Sequence, residues 1–367
     1  MPVVERDLQG WQVSGSPKVG SNVTSFALSS SSKAVFSGFT YSLSFPRTDA
    51  YRVLLTGPYR PRPPHDNISF KYTPLSFKLT SFDTDKSTAV FAFPQSEDES
   101  DKTREIHLVW KDSIVLTVYE KSSDSSEPIR LLGDLPSRSY ALTEHGIIRH
   151  WWIERENLHL GLGEKGAPID LTGRSFSMHG TDAAGYDAYE GDPLYKHTPF
   201  LISTPKAGNG VMPSTYAIYH PTNSVGSWDI GRSHDDPWGY FKTFIQDWGG
   251  LEEWVIVGKG VKEVVKTFTE LVGKPKLVGR DWLGYLGELL QFHHTQANHL
   301  ASGMGLGESD MPIAQELLLT WPELCKKHDI PCSAMHASHH GLTVFRLTIS
   351  FRRVTRSETT ETAMFSR

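Results

Sequence analysis

From the N-terminus to about residue 258, apolar residues fall in short or alternating runs, each ended by Gly, Pro, Ser, Thr or Asp, as strands and turns require. Tyr51–Leu55, Leu75–Leu79, Ala89–Phe93 and Phe200–Ile202 are such runs. The clearest hairpin joins Ile106–Trp110 to Ile114–Tyr119 through Lys111-Asp-Ser113. A link so short permits only an antiparallel return. The polar stretches Gln95–Lys102 and Lys121–Glu127 read as solvated hairpin loops. Many short strands with little helix predict an all-β sandwich.

The period changes at Gly260. Val261, Val264, Val265 and Phe268 fall at i, i+3, i+4 and i+7; Leu271 and Val272 extend the stripe, and Gly273-Lys-Pro275 ends it. This predicts an amphipathic helix leading into a second domain. A further helix follows, with Ser309 or Asp310 as cap, Pro312 in the first turn and Ile313, Leu317, Leu318 and Leu324 as its apolar side. Pro322 is expected to kink or split it. Cys332–Met335 then reads as a buried strand, so the order from Trp282 is strand, helix, strand.

Composition narrows the function. The chain has 367 residues, 37 Lys+Arg and 42 Asp+Glu, for a formal net charge of -5, and no basic stripe suited to nucleic acid. Cys325 and Cys332 are too few for a disulfide framework and read as reduced. The charged start, Met1-Pro-Val-Val-Glu-Arg-Asp7, is unlike a secretory signal, and no apolar run approaches a membrane span. These features predict an intracellular protein without a membrane partner, in which the sequons Asn22-Val-Thr and Asn67-Ile-Ser are chance matches. The 10 Trp, 13 Tyr and 18 Phe suit both core packing and carbohydrate faces, because sugar C–H groups stack on aromatic planes.

Three constellations invite chemistry. Gly161-Leu-Gly-Glu-Lys-Gly166 matches the dinucleotide pattern in form, but Ala167-Pro-Ile-Asp-Leu-Thr-Gly173 follows where that motif needs a helix, so a strand connection is the better reading. His293, His294, His299, His336, His339 and His340 lack the acidic or thiol partners of a metal site. No cofactor or metal is expected. Asp182, Asp187, Glu190, Asp192, Asp235 and Asp236 lie in polar, Gly-containing segments, and spacing alone pairs no two of them across a site.

The ordered motifs Leu158-His-Leu-Gly-Leu-Gly-Glu-Lys-Gly166, Gly180-Thr-Asp-Ala-Ala-Gly-Tyr186 and Asp192-Pro-Leu-Tyr-Lys-His-Thr-Pro-Phe200 resemble the N-terminal β-sandwich of family 31 glycoside hydrolases. Gly249-Gly-Leu-Glu-Glu-Trp-Val-Ile-Val-Gly258, then Gly273-Lys-Pro-Lys-Leu277 with Asp281-Trp-Leu-Gly-Tyr285, resemble its passage into a barrel. Met304-Gly-Leu-Gly-Glu-Ser-Asp310 and Trp321-Pro-Glu-Leu-Cys-Lys-Lys-His-Asp-Ile-Pro-Cys332 are similar to a fungal-type branch. The resemblance implies a mainly β fold: a galactose-mutarotase-like sandwich over 1–272, then an incomplete (β/α)8 barrel beginning over 273–338. It implies retaining α-glucosidases acting through a covalent glycosyl-aspartate, with both catalytic aspartates on later barrel strands. Asp182 would then bind the hydroxyls of an α-glucoside or other carbohydrate, with Tyr186 nearby, and the chain by itself would be inactive. A carbohydrate-binding module and a mutarotase-like epimerase are the alternatives.

Two segments depart from the family. Gly287–Leu300 interrupts a place where the family runs almost directly from Gly-Tyr-Leu to Ser-x-Met-Gly-Leu-Gly, and reads as a translated intron. Residues 339–367 form a non-family tail expected to be disordered, Ser/Thr/Arg-rich over Phe345–Arg367, in which Glu-Thr-Thr-Glu-Thr-Ala-Met-Phe can be re-read in another frame as Asp-Asp-Gly-Asn-Arg-Asp-Val-Phe, suggesting a frameshift.

Overall fold

The computed structural model describes residues 6–7, 11–13, 18–19, 23–30, 38–63, 72–94, 102–111, 113–123, 127–136, 138–154, 156–181, 183, 185–206, 212–235, 239–283, 285–291, 314–330, 332–339 and 347–350. The chain divides into two compact units, Met1–Lys274 and Pro275–Arg367.

Three antiparallel sheets build the first unit. The largest runs, in spatial order, Asn157–Gly163, His197–Pro205, Thr215–Tyr219, Leu251–Gly258, Ala50–Thr56, Phe39–Arg47, Val23–Ser30 and Trp11–Val13, with Lys18–Val19 also paired to Val23–Ser30. A six-stranded sheet orders Arg6–Asp7, Tyr140–Leu142, Ile147–Trp152, Gly239–Gln246, Gly226–Asp235 and Arg174–Ser177. A five-stranded sheet orders Ile129–Gly133, Val115–Ser122, Lys102–Val109, Thr88–Ala92 and Lys78–Asp83. The predicted hairpin lies in the last sheet, with Val109 opposite Val115 and Ile106 opposite Val118.

Strand Leu251–Gly258 shows why the sandwich closes: all eight residues are buried. Side chains alternate between faces along a strand. Val255, Val257 and Leu251 join the main core with Trp151, Trp228 and Phe91. Trp254 and Ile256 join a second cluster on the opposite face, with Phe200, Tyr219, Val264 and Leu271. That second face is covered by helix α1 (Val261–Val272), whose Phe268 stacks on Phe200 at 3.9 Å between ring centroids. Burial of Leu271 contributes about 1.5–3 kcal/mol. Gly273, at φ 95°, ends the helix as expected, while Val265 lies at the rim of its stripe and is partly exposed.

Adjacent glutamates on this strand face opposite ways, and both are buried against arginine. Glu252 accepts from Arg52 Nε at 2.7 Å, Arg62 Nη2 at 2.9 Å and Trp254 Nε1 at 3.0 Å. Its carboxyl is held down at about 2: burial pushes it up, but the hydrogen bonds from Arg62 and Arg52 prevail. Glu253 faces the core and meets Arg149 Nε at 3.1 Å, while Arg149 Nη2 donates to Asp134 Oδ1 at 2.7 Å.

One predicted strand is shifted. Leu75 follows Pro74, makes only an isolated bridge with Phe45, and the ladder begins at Lys78. In the second unit, Tyr285–Gln291 pairs in parallel with Cys332–His339, and helix α2 (Ala314–Lys327) lies between them in sequence. Parallel neighbours need such a crossover, so this is one strand–helix–strand step of an incomplete (β/α)8 barrel. Helix α2 continues through Pro322 without splitting, although the imino nitrogen forfeits one backbone hydrogen bond. Two residues past its end, Asp329 has a φ of 55°, which turns the chain so that Ile330 N donates to Cys325 O at 2.7 Å. Leu347–Ser350 pairs antiparallel with Cys332–His339. Ser309, Asp310, Pro312, His293, His294, His299 and His340 lie outside the described residues.

Candidate functional site

A cleft of about 450 Å³ opens in the first unit, lined by Gly166, Phe176, Arg174, Glu190, Asp192 and Arg232 among others. Its walls come from four separate chain segments. Strand Asn157–Gly163 leaves its ladder through a bulge between Gly161 and Gly163, where Gly161, Leu162 and Gly163 have φ of 116°, 65° and 84°. A Cβ on Gly161 would stand 2.3 Å from Phe200 O, so only glycine fits. The following loop packs its backbone on a second loop: Gly166 N donates to Gly191 O at 3.0 Å, and a Cβ on Gly166 would meet Asp187 O at 2.6 Å.

A buried ion pair ties three of these segments together. Lys165, 3% exposed, donates to Asp192 Oδ1 at 2.7 Å and Ser177 O at 2.8 Å, and its Nζ lies 5.6 Å from the Phe176 ring centroid. The other Asp192 oxygen accepts from Ser177 N at 2.6 Å. Both oxygens of Asp192 therefore hold the loops in place. Asp187 serves a similar end, accepting from Tyr189 N and Glu190 N at 2.7 and 3.1 Å. Arg174 Nη1 donates to Tyr189 O at 2.7 Å.

The loop held this way displays aromatic surface. Tyr186, Tyr189 and Tyr195 are 56%, 68% and 55% exposed, unlike the buried tyrosines of the core. Beside them the exposed Glu190 and Arg232 add an acceptor and a donor to the cleft. Exposed aromatic faces next to fixed polar groups are the chemistry by which sugars are held. Of the residues expected at the site, Tyr186 lies on this loop with its ring edge against Gly191. Asp182 lies outside the described residues; its neighbour Thr181 donates to Leu194 O at 3.0 Å. The loop acids are thereby sorted: Asp192 and Asp187 are structural, Glu190 faces the cleft, Asp236 lies outside the described residues, and Asp235 ends strand Gly226–Asp235.

Lys165, Arg174 and Arg232 were not singled out by sequence reasoning. For Lys165 a signal existed: a lone cation inside a glycine-rich loop that the resemblance itself marks.

Other titratable groups are shut inside the sandwich. Burial drives the His159 and His220 imidazoles down to about 3. His159 Nδ1 meets Thr172 Oγ1 at 3.1 Å and His220 Nδ1 meets the Glu252 carbonyl at 3.1 Å, so neither is paired with a carboxylate in an open groove, as a mutarotase-like epimerase would need. Among the described residues, no three His, Cys, Asp or Glu side chains gather as metal ligands, and no helix is long and apolar enough to cross a membrane.

Known proteins agree with this architecture. Residues 40–219 match the glycosyl hydrolase 31 N-terminal galactose mutarotase-like domain. The chain belongs to glycoside hydrolase family 31. It is 32% identical over 127 residues to an alpha-glucosidase of Saccharolobus solfataricus, covering 35% of this chain and 17% of that protein. Alpha-glucosidase 2 of Bacillus thermoamyloliquefaciens is 27% identical over 157 residues, covering 42% of this chain and 19% of the relative. The chain thus spans less than a fifth of the length of these curated relatives. Among solved structures, a family 31 dextranase of Flavobacterium johnsoniae superposes with TM-score 0.60 at 17% identity, over 90% of this chain and 34% of that one. The cycloalternan-forming enzyme of Listeria monocytogenes gives 0.58 at 15%, over 90% and 26%. At these identities the superpositions speak for the fold.

Proposed function

We propose that the sandwich is the substrate-contacting part of an α-glucosidase-type O-glycosyl hydrolase, and that these 367 residues alone bind α-linked sugar without hydrolysing it. The observation that carries this reading is the Lys165–Asp192 clamp, which fixes a loop bearing Tyr186, Tyr189 and Tyr195 beside a polar cleft. Asp182 accepts sugar hydroxyls, and Tyr186 offers an aromatic face. The dextranase that shares the fold was crystallised with isomaltotriose and with glucose. Retaining hydrolysis needs two available carboxyl groups roughly 5–5.5 Å apart. Asp192 has both oxygens engaged, which leaves Glu190 without that partner among the described residues of the cleft.

The exposed tyrosines also suit a non-catalytic binding module, and one pair of assays separates it from an enzyme. Calorimetry with isomaltose and maltose should show binding that weakens in Asp182→Ala and Tyr186→Ala, with unchanged melting. An aryl α-glucoside should release no phenol. Affinity indifferent to both substitutions, or turnover that co-purifies with the chain, would overturn the proposal.

A further inference from the structure

Two opposite charges line the cleft of the loop site without meeting. Glu190 and Arg232 are both exposed there, and among the described residues neither side chain forms a hydrogen bond or an ion pair, with the other or with a third group. The remaining charged groups of the lining are engaged: Asp192 closes on Lys165, and Arg174 Nη1 donates to Tyr189 O.

The backbone under each is fixed in the same way. Asp187 Oδ1 accepts from Glu190 N at 3.1 Å, and Asp229 Oδ1 accepts from Arg232 N at 2.9 Å. Each lining residue thus follows an aspartate that folds back on the chain and fixes its turn. Glu190 is further held because Gly191 N donates to Asp187 O at 2.8 Å. Arg232 stands on a bulge: Ile230 pairs with Lys242 and His234 with Tyr240, so Gly231, Arg232 and Ser233 stand opposite Phe241 alone. Gly231 turns the chain at φ 76°, and Asp229 Oδ2 accepts from Ser233 Oγ at 2.8 Å and Ser175 Oγ at 3.0 Å. A bulge of this kind re-aims a side chain that strand alternation would otherwise direct. Asp229 spends its carboxylate on backbone and hydroxyl donors, which leaves the Arg232 guanidinium to the cleft.

We infer that Arg232 and Glu190 are the specificity-determining pair of the loop site, selecting a neutral sugar with adjacent hydroxyls, and that Asp229 is the positioning residue for Arg232. The inference rests on the sugar-binding reading above and names what that site recognises. A guanidinium only donates and a carboxylate only accepts, whereas each sugar hydroxyl does both. A vicinal diol therefore accepts from Arg232 and donates to Glu190, satisfying both groups at once. An ionic guest would serve one charge and be repelled by the other. Because both turns are fixed in advance, little ordering cost is left for the sugar to meet.

Calorimetry on the full chain with isomaltose tests both roles. Arg232→Met and Glu190→Ala should each weaken binding about tenfold or more, as for the loss of one charge-assisted hydrogen bond, with unchanged melting. Asp229→Ala should weaken it too, yet add nothing in an Arg232→Met background, because a positioning residue acts only through the group it positions. A residue that merely supported the fold would add its own loss in both backgrounds. D-Glucuronate should bind the parent more weakly than D-glucose. Binding that falls in Tyr186→Ala but is indifferent to Arg232→Met and Glu190→Ala would overturn the inference and leave the loop site standing. Full additivity of Asp229→Ala with Arg232→Met, or glucuronate held more tightly than glucose, would each overturn it as well. A parent chain that binds none of these sugars sinks both readings.

Discussion

Replacing Arg149 by methionine should be the most damaging single change in the sandwich. The guanidinium has no exposure, bonds Asp134 at 2.7 Å and Glu253 at 3.1 Å, and lies 4.0 Å and 4.9 Å from the Tyr140 and Trp151 ring centroids. One cation thus serves two carboxylates in a dry core. Burial raises both carboxyls despite Arg149, Glu253 to about 7. Removing the cation leaves both acids without it, and breaking a buried pair costs about 3–5 kcal/mol.

The sign with pH is specific. A carboxyl whose folded pKa exceeds its unfolded one binds more protons when folded, so stability falls as pH rises between the two values. For Glu253 in the parent that window is about 4.5 to 7. Without Arg149 the folded pKa rises further, so the deficit of Arg149→Met should be smallest in mild acid and grow above neutrality. Urea unfolding at several pH values reads this directly. Adding Asp134→Asn and Glu253→Gln should restore most of the loss, since replacing a whole buried ionic group is often neutral. A penalty below about 1 kcal/mol at alkaline pH, or a triple variant no better than the single one, would refute the reasoning.

Lys165→Met should leave the core intact but release the cleft loops: loss of charge-assisted bonds predicts about 1.5–3 kcal/mol and faster hydrogen exchange at Ser177 and Gly191, with sugar affinity falling alongside. Acid should destabilise the sandwich through its buried imidazoles. His159 and His220 titrate near 3 when folded against about 6.5 unfolded, so their stabilisation is complete above the unfolded value and is lost as pH falls through that window. His220→Phe, which keeps the stack on Phe244, should flatten the acid limb of the stability curve; an unchanged slope would count against this account.

Local features were legible in the sequence because their causes are local. The hairpin across Lys111–Ser113, the strand at Tyr51–Leu55 and helix α1 with its Gly273 stop follow from side-chain period and turn chemistry within about a dozen residues. The glycine-rich stretch at Gly161–Gly166 reads as a strand connection for want of a following helix, and the strand Asn157–Gly163 runs into a loop there. Where a single residue's context mattered the reading slipped: Pro74 delayed the strand predicted at Leu75, and α2 absorbed Pro322.

What tertiary structure alone decided is which distant segments share a space. Leu251–Gly258 lies between Thr215–Tyr219 and Ala50–Thr56, so the polar pair Glu252-Glu253 becomes two buried carboxyl groups on opposite faces. Period along a strand shows that its side chains alternate, but not that both faces will be covered. The cleft is similar: the sequence marked Asp192, and Lys165 as part of a motif, but whether an acid faces solvent, ligand or a lysine depends on a meeting across 27 positions of chain. The reason is physical. Propensity and period act through neighbouring backbone atoms, whereas burial, ion pairing and cleft shape arise only when long-range pairing removes water from both partners.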